Sequence, residues 1–561
     1  MADDAAAEEV AAPLDLLLSD AANGPLRRLL PSAATARFGL GLVRRPAPVA
    51  KRLAGLTAEA ARIGLRRSSL EPDPKDKRFA EPAWRAQPGL WAMLQLYLAV
   101  GHTLSELRDE VHLDWADATK IDFALDNLLD AVAPSNNPFL NPLTYKAVLD
   151  TGGRSVLRGV RNLLSDLSQP PRVPSMVSPN AFAVGENVAI TEGSVVLRTP
   201  VFELIQYQPQ TKKVSSIPLV IVPPTINKYY VLDLTPGRSF VEHLVRNGQQ
   251  VFMISWRNPD RRHHDWDLST YGQAIVEAME AARSITGAET TSLLGFCSGG
   301  IIASMLMGHL ADVGQTDQVA SFGLGVTLLD QHKAGMMTAT LDARQAAEAV
   351  NASAKAGFLD GRALAEVFAW LRPNDLIWNY WVNNYLQGKA PKAFDVLFWN
   401  SDATRMTAGL HRDFIELALN NTLTTPGASA MLGSSVDLTT VKTDAYIMAG
   451  IADHICPWQN CYQSSQMLGG DIRFVLSTAG HIASLVNPPD NPKARFRVAP
   501  TNPPSADAWM EAAEEQKGSW WEDYQTWLAE RSGDKRTAPA TLGDDRFPVV
   551  TASPGTYVFD T

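Results

Sequence analysis

The sequence predicts an α/β protein: a doubly wound, mainly parallel sheet, preceded by a mostly helical domain and interrupted by an α-helical insertion. Three observations carry that prediction. From residue 188 onward, short apolar runs alternate with helix-prone segments, as in a parallel sheet covered on both faces. One of these runs enters the turn Gly295-Phe-Cys-Ser-Gly299, and a helix-prone segment leaves it. The alternation stops after Asp330 and resumes only at residue 444, with an aromatic-rich stretch between.

The chain of 561 residues is long enough for two or three domains and a large core. Its 45% apolar and 20% charged content is that of a globular protein. A net charge of −10 argues against a general nucleic-acid binder. Three cysteines in so long a chain make no disulfide framework and point to a reducing cytoplasm. Cys456 and Cys461 lack a second Cys/His pair at metal spacing, so both read as structural and no metal is expected. The N-terminus lacks the basic-then-apolar pattern of a secretory signal, and no uncharged apolar run approaches the ~20 residues of a transmembrane helix.

The elements follow in order. Residues 1–26 are Ala-rich and acidic and read as a disordered tail. Residues 27–187 form a mostly helical domain. Its start, up to Arg67, is a basic arm in which Arg27, Arg28, Arg37, Arg44, Arg45, Lys51, Arg52, Arg62, Arg66 and Arg67 face a single Glu59. Such an arm suits an anionic or hydrophobic particle surface, or a set of short helices packing on the same chain. Beyond it Trp84, Trp91, Leu94, Tyr97 and Leu98 make one apolar helical stripe. The first part of the α/β core spans 188–329. An antiparallel pair is expected at 195–197 and 202–206, and buried strands at 218–222, 250–256, 292–294 and 319–329. A helix at 239–247 is capped by Ser239 and closed by Gly248; another at 269–286 ends at Gly287. Residues 330–440 form the aromatic-rich helical cap. Residues 441–561 return to the core with strands at 444–449 and 471–476, and end in a helix opened by Ser519-Trp-Trp-Glu522.

The turn at Cys297 carries the chemistry. A strand, a tight turn between glycines and a helix make a nucleophile elbow, with Cys where Ser is usual. The helix aims its N-terminal N–H groups at the sulfur, which favours thiolate and can stabilise an oxyanion. In the chain order of α/β-hydrolases an acid and then a His must follow. The strand at 444–449 runs into Asp453, and that at 471–476 into His481, both at carboxyl strand ends. Asp453 is assigned as orienting acid and His481 as base. His454 reads as a pocket group. The Ser298 N–H is the first oxyanion donor, and a second is expected near Thr225 or Ile226, after Pro223-Pro224.

These residues sit within longer runs: Val222-Pro-Pro-Thr-Ile-Asn-Lys-Tyr-Tyr-Val-Leu-Asp-Leu234, Ser255-Trp-Arg-Asn-Pro259 and Gly295-Phe-Cys-Ser-Gly-Gly300. Ile377-Trp-Asn-Tyr-Trp-Val-Asn-Asn-Tyr-Leu386, Leu397-Phe-Trp-Asn400, Asp453-His-Ile-Cys-Pro-Trp458 and Gly480-His-Ile482 continue the pattern. From Pro82 to the C-terminus the chain resembles a poly(3-hydroxyalkanoate) synthase. The family's catalytic Cys, Asp and His fall on Cys297, Asp453 and His481, the three already reached by spacing. The resemblance implies an α/β-hydrolase-like fold with a mobile cap and a homodimer. It also implies polymerisation of (R)-3-hydroxyacyl-CoA into polyester on cytoplasmic granules. Length and the N-terminal domain resemble the single-subunit forms. Ala552-Ser-Pro-Gly-Thr-Tyr557 and Asn491-Pro-Lys-Ala-Arg-Phe496 look like the medium-chain group, whereas Phe296 and Tyr229-Tyr230 look like the short-chain group.

For that reaction a thiol suits better than a hydroxyl, because thioester-to-thioester transfer keeps the acyl group activated. No cofactor is expected, since CoA is released as product. Trp399 is expected nearest the thiol in the cap. Lys493 and Arg495 are candidates to ring a CoA entrance, or else form a solvated surface pair. Two other functions stay open. One is a Cys-dependent hydrolase, such as an intracellular polyester depolymerase, with the same triad and water as acceptor. The other is a non-catalytic particle coat that uses the basic arm, with the triad vestigial.

Overall fold

The apolar runs pair into one 11-stranded mixed sheet in the computed structural model. It describes residues 33–561 except 75, 169–170, 333–342, 372 and 454, and except the side chains of 345, 367, 368 and 371. The tail expected over 1–26 lies outside the described residues, as do Arg27 and Arg28 of the basic arm. The strands are β1 (Gly193–Arg198), β2 (Phe202–Tyr207), β3 (Leu219–Val222), β4 (Val251–Trp256), β5 (Thr291–Phe296) and β6 (Val319–Gly325). They continue with β7 (Ala445–Gly450), β8 (Ile472–Ser477), β9 (Arg495–Val498), β10 (Glu514–Lys517) and β11 (Thr551–Ala552). Their spatial order is β10-β9-β8-β7-β6-β5-β3-β4-β2-β1-β11.

From β4 through β3, β5, β6 and β7 to β8 every neighbour runs parallel, and antiparallel strands finish both sides. Each residue of β3, β4, β5 and β7 is buried. That is why these strands read as unbroken apolar runs: both faces are covered, so no polar alternation is required. β6 is shorter than the expected 319–329. It stops at Gly325 because Val326 turns to φ 43°, a left-handed conformation that cannot continue a strand.

The helices between strands show the expected punctuation. Phe240–Arg246 is capped by Ser239, whose Oγ accepts the Glu242 N–H, and Gly248 follows at φ 78°. Leu268–Thr286 starts in a reciprocal Asp267–Thr270 box and ends at Gly287 in the left-handed region.

The chain divides into two compact units. One holds Pro179–Leu364 and Phe394–Thr561, including the sheet; the other holds the described residues up to Ser178 with Ala365–Ala393. The stretch 330–440, expected as one cap, is therefore divided between them. The aromatics Trp370, Trp378, Trp381 and Tyr385 belong to the helical unit and stack edge to face in sequence. Trp381 Nε1 donates to the Asn136 carbonyl at 3.0 Å and Tyr385 Oη to Asp166 at 2.7 Å. Phe394, Phe398 and Trp399 stay with the sheet unit.

In the helical unit, Phe79, Trp84, Leu94 and Ala133 form a core against which Tyr97 and Leu98 pack. The basic arm folds as helices Ala33–Val43 and Pro46–Gly64. Arg37 pairs with Asp117, and Arg52 with Glu106 (2.7 Å) and Glu110 (2.8 Å). For these cations the intramolecular reading is the one the structure bears out. None of the helices among the described residues is long and apolar enough to cross a membrane.

Candidate active site

Cys297 closes β5 and opens the helix Ser298–Asp312. Its backbone sits at φ 50°, ψ −123°, a strained conformation for a residue with a Cβ. The turn survives because its neighbours are small. A Cβ on Gly295 would come within 2.6 Å of the Gly300 Cα, and one on Gly299 within 2.6 Å of the Val222 carbonyl oxygen. The Cys297 N–H is tied to the Gly325 carbonyl at 2.9 Å, so β6 fixes the elbow from the side.

Asp453 and His481 arrive from the next two strands. Ile451 N–H donates to the Ser477 carbonyl (2.8 Å) and Ala452 N–H to that of Ala479 (3.1 Å), tying together the loops after β7 and β8. Asp453 Oδ2 accepts from His481 Nδ1 at 2.7 Å, leaving Nε2 for the sulfur. Its Oδ1 accepts the N–H groups of Ile455 and Cys456, both at 2.8 Å. One carboxylate thus orients the imidazole and shapes the loop that carries Cys456. Behind His481, Trp520 Nε1 donates to the Ser484 carbonyl (2.7 Å) and Trp521 Nε1 to that of Leu485 (3.0 Å). The C-terminal aromatic helix Trp520–Ala529 therefore braces the short helix His481–Leu485.

The three groups are almost fully buried: Cys297 is 4%, Asp453 5% and His481 6% exposed. Hydrogen bonding from Cys456 pulls the Cys297 thiol below its ordinary range; His481 and the Ser298 N–H add to this and together they overcome burial. Burial alone would lower His481, but the Asp453 carboxylate and the Cys297 sulfur outweigh it and raise the imidazole. Both shifts favour a thiolate facing an imidazolium. Cys456 moves the opposite way, pushed up by burial and by its bonds with Cys297 and Cys461. Sulfur atoms of Cys297 and Cys456 and a ring nitrogen of His481 all lie within 4.8 Å of one another. Cys456 had read as structural; its identity gave no signal, because only the folded loop brings it to the elbow.

The remaining candidates fall as follows. Ser298 Oγ accepts the Thr225 N–H at 2.9 Å, so that N–H is engaged within the protein and cannot serve an oxyanion as the chain stands. For the Ile226 N–H no partner is present among the described residues, which leaves it, with Ser298, as the oxyanion candidate. Trp399 is buried, and its Nε1 donates to the Lys228 carbonyl at 2.7 Å, on the loop after β3. His454 lies outside the described residues. Lys493 is exposed; the Arg495 guanidinium is turned onto the carbonyls of Pro492 (3.1 Å) and Ala494 (2.6 Å).

Known proteins resemble the chain in family and fold. The family model for the poly-beta-hydroxybutyrate polymerase (PhaC) N-terminus matches residues 75–244, and that for the alpha/beta hydrolase fold matches residues 218–488. Poly(3-hydroxyalkanoate) polymerase 1 of Ectopseudomonas oleovorans is 45% identical over 518 residues, covering 92% of each chain. Polymerase 2 of the same organism is 43% identical over 516 residues, again 92% of each. The poly(3-hydroxyalkanoate) polymerase subunit PhaC of Cupriavidus necator is 40% identical over 491 residues, 86% of this chain and 83% of its own.

Proposed function

Because the chain belongs to the poly(3-hydroxyalkanoate) polymerase family, we propose that it polymerises (R)-3-hydroxyacyl-CoA into polyester through a covalent thioester on Cys297. The observation that carries this reading is a buried thiol on a strand–helix elbow, beside a His that Asp453 holds by its Nδ1. In loading, the Cys297 sulfur, its proton passed to His481 Nε2, attacks the thioester carbonyl. The Ser298 N–H, with that of Ile226, faces the developing oxyanion. CoA leaves as the thiol, taking the proton from His481. In elongation His481 removes the proton of a 3-hydroxyl as that oxygen attacks an acyl thioester, and the freed sulfur is available again.

Cysteine favours transfer over hydrolysis, because the bound acyl group keeps its thioester activation until an alcohol arrives. Burial of Cys297 fits the same demand, that water lose to the hydroxyl, and it requires the cover over the thiol to move for substrate and polymer. No cofactor enters the scheme. A homodimer on the surface of cytoplasmic polyester granules is the assembly in which this reading places the chain.

The test is incubation of the purified chain with (R)-3-hydroxybutyryl-CoA while CoA release is followed. Release accompanied by insoluble polymer is expected. Release of free 3-hydroxy acid alone would replace the polymerase with a Cys-dependent hydrolase, or with an intracellular depolymerase. Absence of release with any acyl-CoA, together with binding to granules, would point to a coat protein.

A further inference from the structure

The geometry points to a second use of the same buried site: a Cys2His site for a borderline divalent cation, zinc(II) above all, made by Cys297, Cys456 and His481. The donor atoms already lie within 4.8 Å of one another, and all three residues are buried. Around a tetrahedral zinc such donors stand roughly 3.5–3.8 Å apart, so each atom needs to shift by no more than about 1 Å. The donor set is the one zinc prefers, two sulfurs and an imidazole nitrogen, with a fourth position left for solvent or substrate.

The outer contacts match a metal site as well. His481 turns its Nδ1 to Asp453 Oδ2 at 2.7 Å, the carboxylate–histidine arrangement that fixes the ring and leaves Nε2 for the ion. The same carboxylate holds the Cys456 N–H at 2.8 Å, so two of the three ligands share one anchor. The acyl-transfer scheme gives the second thiol no bond-making step. Cys461, the third cysteine, is outside the cluster: its Sγ faces the Cys456 carbonyl at 3.6 Å.

Binding takes both sulfurs as thiolates and the imidazole as the neutral base, so two protons leave to the buffer: that of the Cys456 thiol and the one held between Cys297 and His481. The ion then occupies the lone pairs that Cys297 and His481 need for nucleophilic chemistry. The site is therefore a reversible block on the thiol, and it exists whichever acyl acceptor the protein uses.

Cobalt(II) and zinc(II) titrations of the full chain test it. Cobalt(II) is expected to bind one ion per chain with a sulfur-to-cobalt charge-transfer band, and zinc(II) to displace it. Cys456→Thr should weaken binding by at least about a hundredfold, the upper end of what loss of even an outer partner costs. Cys461→Ala, which removes only an outer partner of Cys456, should weaken it less than Cys456→Thr does. A measurement on the unaltered protein stands beside these variants: bound zinc(II) should protect Cys297 and Cys456 together from alkylation, read by peptide mass spectrometry. A cobalt spectrum without sulfur character, equal affinity in Cys456→Thr, or protection of neither cysteine would overturn the site.

Discussion

In the sheet unit the buried carboxylate Asp233 is held by hydroxyls; in the helical unit the buried carboxylate Asp117 is held by a guanidinium. Asp233 is 0% exposed and accepts from Thr191 (2.5 Å) and Ser239 (2.7 Å). Burial pushes its carboxyl up to about 6, against those hydrogen bonds. Asp117 is 2% exposed and accepts from Arg37 Nη2 at 2.6 Å, a bond that holds its carboxyl below the ordinary range. Asp233 is thus held by short bonds to hydroxyls, although a cation does reach another buried acid of the same unit: Glu203, fully buried on β2, pairs with Arg198 at 2.7 Å. Asp117 is held by a guanidinium that itself stays 56% exposed. The active site belongs to the first regime: Asp453 is satisfied by an imidazole and two backbone N–H groups.

That contrast can be strained at several points. The largest effect is expected at the site. His481→Gln should lower CoA release by at least about a thousandfold, since members of one nucleophile–base unit fail together. Cys297→Ser should do the same, and a normal acyl-enzyme burst in His481→Gln would remove His481 from the base role. Next, Trp520→Ala removes a large buried ring and its bond to the Ser484 carbonyl, and should cost about 3–5 kcal/mol in denaturant unfolding. A loss below about 1 kcal/mol would show that the C-terminal helix does not brace His481–Leu485.

The two carboxylates should respond to pH with opposite signs. Asp233 has a raised folded pKa, so the folded state binds its proton more tightly than the unfolded chain. Its contribution to stability falls as pH rises from about 4 to about 6, by about 3 kcal/mol. Asp233→Asn keeps an acceptor oxygen and should flatten that slope in urea midpoints measured across the window. Asp117 has a lowered folded pKa, so its contribution is present above its ordinary value of 3.8 and is lost as pH falls through the folded value. Arg37→Ala should make the acid loss of stability below about pH 4 shallower, with little change at pH 7 beyond the lost pair. An unchanged acid limb would mean that the pair is idle in solution. The smallest effect is expected on the helix Arg154–Ser168, where Leu157 is 75% and Leu164 63% exposed. Leu157→Gln and Leu164→Gln should each change unfolding free energy by no more than about 0.5 kcal/mol. Larger losses would show that these leucines are covered in the folded protein.

Much of the first regime was legible in the residue order. Strands buried on both faces announce themselves as unbroken apolar runs, and an elbow at positive φ announces itself through the glycines it cannot do without. Ser239 and Gly287 marked helix ends because a cap is a local hydrogen-bond need. The second regime was less readable. Arg37 and Asp117 are both surface-type residues, and their pairing depends on how separate helices cross. The aromatic stretch after Asp330 read as one cap because composition reports burial without saying which unit does the burying; Trp381 and Tyr385 bury in the helical unit, Trp399 in the sheet unit.

The sequence alone determined the α/β order, the elbow at Cys297, and Asp453 and His481 as its followers. Those features follow from steric and hydrogen-bonding demands within a few residues, and each leaves a mark where it acts. Tertiary structure alone decided that Cys456 meets Cys297, that the Thr225 N–H is taken by Ser298, and that Trp520 and Trp521 brace the helix of His481. Those contacts join segments distant in the chain. Their geometry is set by strand order and loop path, so no local pattern encodes them.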